Sequence, residues 1–233
     1  MVTVSITPSK HPSSAVLLDY ASATLGFAHR LVVETHVLHC QGCAETISFL
    51  KGVGNEFTAN LPPVTPPADL FERSIASFNA AEAVRPPFQM GEAPAEMPRI
   101  VDRMVLPSTL KDLQPSRLRW LTPGIRHSTL WRDDFSTLHF IRVNAGVKLP
   151  AHSHRGLELT CVLRGAFRDN DGLYSVGDVA EEDEDYGEAA LRREHDHLVR
   201  AEPQESCMCI LATTGRLHFS NWMIRLVQFT LPF

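Results

Sequence analysis

The residues of this 233-residue chain best suited to chemistry fall in two clusters. The first is His36-Val37-Leu38-His39-Cys40-Gln41-Gly42-Cys43, which places His36, Cys40 and Cys43 at i, i+4 and i+7. On one continuous helix, at about 100° per residue, these three lie within roughly 60° of each other. An imidazole and two thiolates on one face suit zinc, which takes four protein ligands in a closed structural site. The fourth must come from elsewhere. His29 stands seven residues before His36, about 10 Å along a helix axis, too far for one ion. His39 points roughly 60° off the face and reads as solvent-facing. His11 lies ahead of the preceding helix, where a short hairpin could bring it over the metal face.

The second cluster is Gly146-(x5)-His152-x-His154-(x3)-Glu158-(x6)-Gly165. On a strand, with its period of two, positions 152, 154 and 158 project to one side. Two imidazoles and a carboxylate accept zinc, iron, manganese or nickel. The bracketing glycines read as turns.

The elements that must position these groups change in texture along the chain. A helix is expected over residues 15–25, capped by Ser13 or Ser14 and stopped at Gly26. A second over 27–51 carries the metal face and ends at Gly52. Residues 55–66 read as loop. A third helix follows from Pro67 or Ala68 to residue 83, and Leu17, Phe71 and Phe78 can serve core or partner equally. Half of the 16 prolines lie between residues 62 and 98, which marks a linker and hence two domains. A short helix is possible at 100–106 or 108–113.

From Leu118 onward short apolar runs alternate with Gly and Asp turns: residues 138–143, 159–163, 207–212, 217–219 and 223–229. Asn170-Asp171-Gly172 and Val176-Gly177-Asp178 are two of the turns. Many short strands at this spacing indicate a β-sandwich or barrel. The acidic run 181–185 reads as a solvated insertion between strands.

A net charge of −5 argues against a general nucleic-acid or anionic-membrane binder. No apolar run reaches the ~18 residues of a membrane span, and the first residues lack the pattern of a signal peptide. Five cysteines, as a CxxC pair, Cys207-x-Cys209 and a lone Cys161, favour metal or redox chemistry over a disulfide framework, with a cytoplasmic location. Cys207 and Cys209 share a strand face about 6.7 Å apart in Cα, at the upper edge for a disulfide. Cys161 reads as core.

The His152/His154/Glu158 segment resembles the first motif of the cupin superfamily. That resemblance implies a double-stranded β-helix jelly roll with an internal metal and a fourth ligand from a later strand. His195 and His197 are the candidates, and His197, at a strand start ten residues before Cys207, fits best. The whole order resembles the ChrR family of anti-sigma factors. The residues that carry this are His11-(x5)-Leu17-Leu18-x-Tyr20-Ala21-(x3)-Leu25, His36-(x3)-Cys40-(x2)-Cys43, His152-Ser-His154-Arg-Gly-Leu-Glu158, Val162-Leu-x-Gly165-Ala-Phe-x-Asp169, Gly177-Asp178 and the Cys207-x-Cys209 strand.

The family resemblance implies an α + β chain of two domains. A small all-α zinc-binding domain would span 1–85, with His11, His36, Cys40 and Cys43 as ligands. A Pro-rich linker at 86–105 and an all-β cupin domain at 106–233 would follow. The cupin would hold a second divalent metal, zinc in the first instance, at His152, His154, Glu158 and His197. Such a protein is not an enzyme. It binds a group IV (extracytoplasmic-function) sigma factor, keeps it from core RNA polymerase, and releases it in response to singlet oxygen or organic peroxide. It touches neither nucleic acid nor membrane directly.

Two other readings differ in class. A metal-dependent cupin enzyme of dioxygenase or isomerase type could carry the helical part as a structural zinc module, because a 2-His-1-carboxylate set can leave coordination positions open. A DNA-binding zinc module is opposed by the charge of residues 1–85, five Lys/Arg against seven Asp/Glu, and by the lack of a basic recognition helix.

Overall fold

The computed structural model describes residues 7–84, 108, 110, 113, 118–149, 152–153, 156–184, 200–214 and 218–219. Among the described residues, four helices come first: α1 (Ser14–Ala21), α2 (Phe27–Val37), α3 (Gln41–Ala59) and α4 (Leu70–Val84). Eleven strands follow: β1 (Arg119–Thr122), β2 (Ile125–Arg132), β3 (Thr137–Val143), β4 (His152–Ser153), β5 (Gly156–Arg164), β6 (Ala166–Asp169), β7 (Gly172–Ser175), β8 (Val179–Glu184), β9 (Arg200–Ala201), β10 (Cys207–Thr213) and β11 (His218–Phe219). The linker expected at 86–105 and the strand expected at 223–229 lie outside the described residues, as does most of the short helix expected at 100–106 or 108–113.

Ser13 caps α1, its Oγ accepting from Val16 N at 3.3 Å. The helix stops four residues earlier than expected, because Ala23 takes a positive φ of 60°. The expected single helix over 27–51 is two. α2 ends at Val37 with Leu38 as its C-cap, Cys40 is extended (φ −120°, ψ 99°), and Cys40 becomes the N-cap of α3. The physical reason lies in the metal face itself. His36 and Cys43 are seven residues apart, so one straight helix would separate them by about 10 Å, the same distance that excludes His29. A break at Leu38–Cys40 folds the thiols back toward the imidazole. α3 also runs through Gly52 and Gly54 to Ala59, since neither glycine takes a positive φ.

β1, β2, β3, β10, β5 and β8 form one antiparallel sheet in that order, β7-β6-β9 a second, and β11-β4 a short pair. Cross-strand register assigns every side chain in the large sheet to a face. Val162, Cys209 and Ile141 stand in one row, and Thr160, Leu211 and His139 in the next. This face meets Phe167, Tyr174 and Ala201 of the second sheet in one core. The alternate residues, Leu138, Phe140, Leu159, Cys161, Ile210 and Ala212, form the outer face. They share a different core with Val16, Leu17, Leu31, Val32 and Ile47 of the helices.

α2 is therefore buried nearly all round, from Ala28 to His36, against β3, β5 and β10. The helical and β parts share a core, an arrangement that proline spacing alone did not foretell. The acidic run also departs from expectation. Residues 181–184 are the body of β8, paired residue for residue with β5 from Gly156 to Leu159, and not a solvated loop.

Candidate metal centre

The break after α2 gathers four predicted ligands. The ligand atoms of His11, His36, Cys40 and Cys43 lie within 4.8 Å of one another. His36 Nε2 is 3.4 Å from His11 Nδ1 and 3.3 Å from Cys43 Sγ. His11 Nδ1 is 3.4 Å from Cys40 Sγ and 3.7 Å from Cys43 Sγ. Around a tetrahedral zinc with bonds of 2.0–2.3 Å, ligand atoms stand roughly 3.3–3.8 Å apart, so the donors fit that ion. His36, Cys40 and Cys43 are buried and His11 is exposed.

Electrostatics argues in the same direction. Burial pushes the Cys43 thiol up to about 12, with the neighbouring Cys40 adding to the shift. Burial lowers His36, which is thereby kept neutral. Two buried thiols and a neutral imidazole become ligands when a dication offsets the cost of the thiolates. The N-terminus of α3, beginning at the Cys40 cap, adds a positive dipole end beside them.

The contacts around these ligands come from the β part. His36 Nδ1 stands 2.7 Å from the carbonyl oxygen of Gly177, an acceptor only, so Nδ1 carries the proton and Nε2 is left free for a metal. His11 follows Lys10, whose carbonyl accepts from Val179 N at 3.2 Å. From the sequence, Gly177-Asp178 was visible as a turn and as part of the family pattern, with no role at the metal cluster. Its position against His36 and the segment before His11 depends on how α2 docks, and no local signal reports that. His29 is buried, with Nε2 2.9 Å from Leu157 O and 3.4 Å from Thr214 Oγ1. It belongs to the seam between helix and sheet. His39 is half-buried.

The second predicted cluster is described in part. Glu158 is 6% exposed, on the inner sheet face, and lines an apolar cavity of about 60 Å³ with Ile141, Phe167, Ala201 and Leu211. That volume admits a few water-sized groups. Asp169 and Glu182 add carboxylates to its lining. The His152 backbone pairs with Phe219 in β4–β11, and His154, His195 and His197 lie outside the described residues. Gly146 and Gly165 are left-handed turns at φ 71° and 70°, as the motif requires.

Cys207 and Cys209 also line this cavity, with their sulfurs 3.5 Å apart. Cys209 is raised well above its usual value by the hydrogen bond from Cys207 and by burial, so it is held as a thiol. Cys161 is fully buried on the opposite face, in the core shared with the helices. Two buried imidazoles escaped the sequence reading. His127 and His139 stand with ring centroids 6.3 Å apart, and burial lowers them to about 4 and about 3. Their alternation along apolar strands was the available signal.

Residues 111–216 match a family model described as the ChrR cupin-like domain. Over 224 residues the chain is 34% identical to the anti-sigma-E factor ChrR of Cereibacter sphaeroides, a match that covers 94% of this chain and 95% of that protein. The structure also resembles a chain of the crystal structure of Rhodobacter sphaeroides SigE in complex with the anti-sigma ChrR. The TM-score is 0.62 at 31% identity, over 89% of this chain and 99% of that one. The fold expected from the motifs, helices and then a cupin, is the fold found. With this motif order, this helical metal cluster and this extent of identity, the chain belongs to the ChrR family of anti-sigma factors.

Proposed function

We propose that the chain binds and inhibits a group IV (extracytoplasmic-function) sigma factor in the cytoplasm, and releases it on an oxidative signal received by the cupin. In this reading residues 1–85 are the inhibitory domain, 86–105 the linker and 106–233 the sensor. Zn²⁺ at His11, His36, Cys40 and Cys43 holds the helices together, contributing folding free energy outright. A second divalent ion, zinc in this reading, is held in the cupin by His152, His154, Glu158 and His197.

The observation that carries the partner is the apolar surface of α3 and α4. Phe49, Val53 and Phe57 recur every four residues along α3, and Phe71, Ile75 and Phe78 at spacings of four and three along α4, all exposed, with Phe57 at 73% and Phe71 at 76%. Leu17, in contrast, is core at 5%. Two facing-out aromatic stripes exceed what a monomer scatters singly over its surface and mark an interaction face. The solved relative is a ChrR bound to SigE, which supports a sigma factor as the occupant.

The signal is read through the sheet. Oxidation at the cupin metal, or at Cys207 and Cys209, changes the seam between outer face and helices and lowers affinity for the sigma factor, or exposes it to a protease. The chain is not an enzyme in this reading. The test is isolation of the tagged full-length chain from its own cytoplasm, with mass identification and metal content of what accompanies it. A stoichiometric sigma factor, lost in the Phe57→Asp/Phe71→Asp variant, is the expected result. A zinc-loaded chain that retains no sigma factor removes the proposal.

The cavity beside Glu158 favours one competing reading, a metal-dependent cupin enzyme with a structural zinc module. Turnover of an oxygen-dependent substrate by the metal-loaded chain would establish it.

A further inference from the structure

The β7–β8 turn is built into the metal centre. Asp178, 1% exposed, accepts three backbone N–H groups: Ser9 at 2.5 Å and Lys10 at 2.9 Å on Oδ1, and Ser175 at 2.7 Å on Oδ2. Ser9 Oγ stands 3.3 Å from Oδ2. Two of the three amides belong to the segment leading into His11, and Val179 N closes onto Lys10 O from the next residue of the turn. On the other side of Asp178, the Gly177 carbonyl accepts from His36. Two of the four metal ligands thus take their position from two adjacent cupin residues. The turn is in turn fastened to β5, with Gly177 N donating to Val162 O at 2.9 Å and Val162 N to Asp178 O at 3.2 Å. The Val162 side chain packs in the inner core beside Cys209.

We propose that Asp178 is the positioning residue of the metal centre. It fixes the His11 segment directly and His36 through the neighbouring Gly177 carbonyl, so that a displacement of β5 or β8 changes how tightly the ion is held. The physical basis is general. The group that orients a ligating histidine commonly sets metal affinity by 10- to 100-fold, and a buried carboxylate accepting several N–H groups is stiff because each bond is charge-assisted. Coupling between the cupin interior and the helices then needs no long path, only the Val162–Gly177–Asp178 backbone.

The proposal rests on the reading of His11, His36, Cys40 and Cys43 as a zinc site. The experiment uses the zinc-loaded full-length chain and follows zinc loss to an excess of a chromogenic chelator. Asp178→Asn keeps the shape and loses the charge and one acceptor. It is expected to release zinc at least about tenfold faster and to change the ligand-field spectrum of the cobalt-substituted chain, a signal that a merely structural role would not move. In combination with His11→Ala the effect should be less than the product of the two.

Wild-type hydrogen exchange supplies a measurement independent of the variant. Chelation should unprotect the amides of Gly177 and Val179 while that of Phe140 stays protected. Unchanged release and an unchanged cobalt spectrum in a folded Asp178→Asn chain overturn the proposal. So does an exchange response spread evenly over the sheet. A chain that carries no zinc at all overturns the site reading and the proposal with it, whereas a zinc-loaded chain with unchanged release overturns the proposal alone.

Discussion

At the scale of single residues, the candidate metal ligands and the buried histidines make separable demands. Structural zinc contributes an apparent ~10–16 kcal/mol in small zinc peptides, comparable to or larger than the ~5–15 kcal/mol of net stability of a domain. Cys40→Ser/Cys43→Ser should therefore lose stoichiometric zinc, with a clear fall in far-UV helical signal and no retained sigma partner. Retained binding would show that zinc is not the scaffold. His127 and His139 act through protons. Their folded values, about 4 and about 3, lie below the usual 6.5, so unfolding takes up protons below pH 6.5. Their contribution is complete above pH 6.5 and declines as pH falls toward 4, by at most about 1.4 kcal/mol per pH unit for each histidine. Denaturant unfolding at pH 7, 6 and 5 should show this decline, and His139→Leu should make it shallower by one proton.

At the scale of elements, the turns carry information that propensity does not. Gly165 combines a φ of 70° with a backbone so close that an added Cβ would sit 2.6 Å from Ser206 O. Gly165→Ala should cost at least about 2 kcal/mol, from left-handed strain and from displacing the β9–β10 connection. Urea unfolding reads it directly, and a change under ~0.5 kcal/mol would mean that the connection yields freely. The α2–α3 break belongs to the same scale. Helical periodicity runs through residues 27–51 without interruption, and Gly42 gives no local reason to stop at Leu38. The reason is the approach of Cys43 Sγ to within 3.3 Å of His36 Nε2, which a continuous helix does not permit. α4 shows the converse case: its apolar spacing was legible, but only the fold shows that Phe71 and Phe78 are exposed and lie outside the core.

At the scale of the molecule, the central fact is a single sheet with two cores. Phe140 is buried on the outer face in the core that also contains Leu31 and Val32 of α2. Phe140→Ala should cost about 3–5 kcal/mol and destabilise helices and sheet together. Calorimetry should show one transition moved to lower temperature; two transitions, with only the β part shifted, would show that the halves unfold independently. Val162 and Cys209 lie in the inner core, and their strand neighbours Cys161 and Ile210 lie in the core shared with the helices, one sheet thickness away.

The sequence by itself determined the residue types of the candidate metal cluster, the order of helices before strands, the glycine turns of the second motif and the family, because these rest on spacing along a few residues and on the identity of each side chain. Only the tertiary structure decided which atoms surround those ligands. The Gly177 carbonyl on His36, the Asp178 carboxylate on the Ser9 and Lys10 amides and the docking of α2 on the outer sheet face all join residues far apart in the chain. Such contacts are set by packing and hydrogen-bond satisfaction between elements, and periodicity within one element contains no term for them.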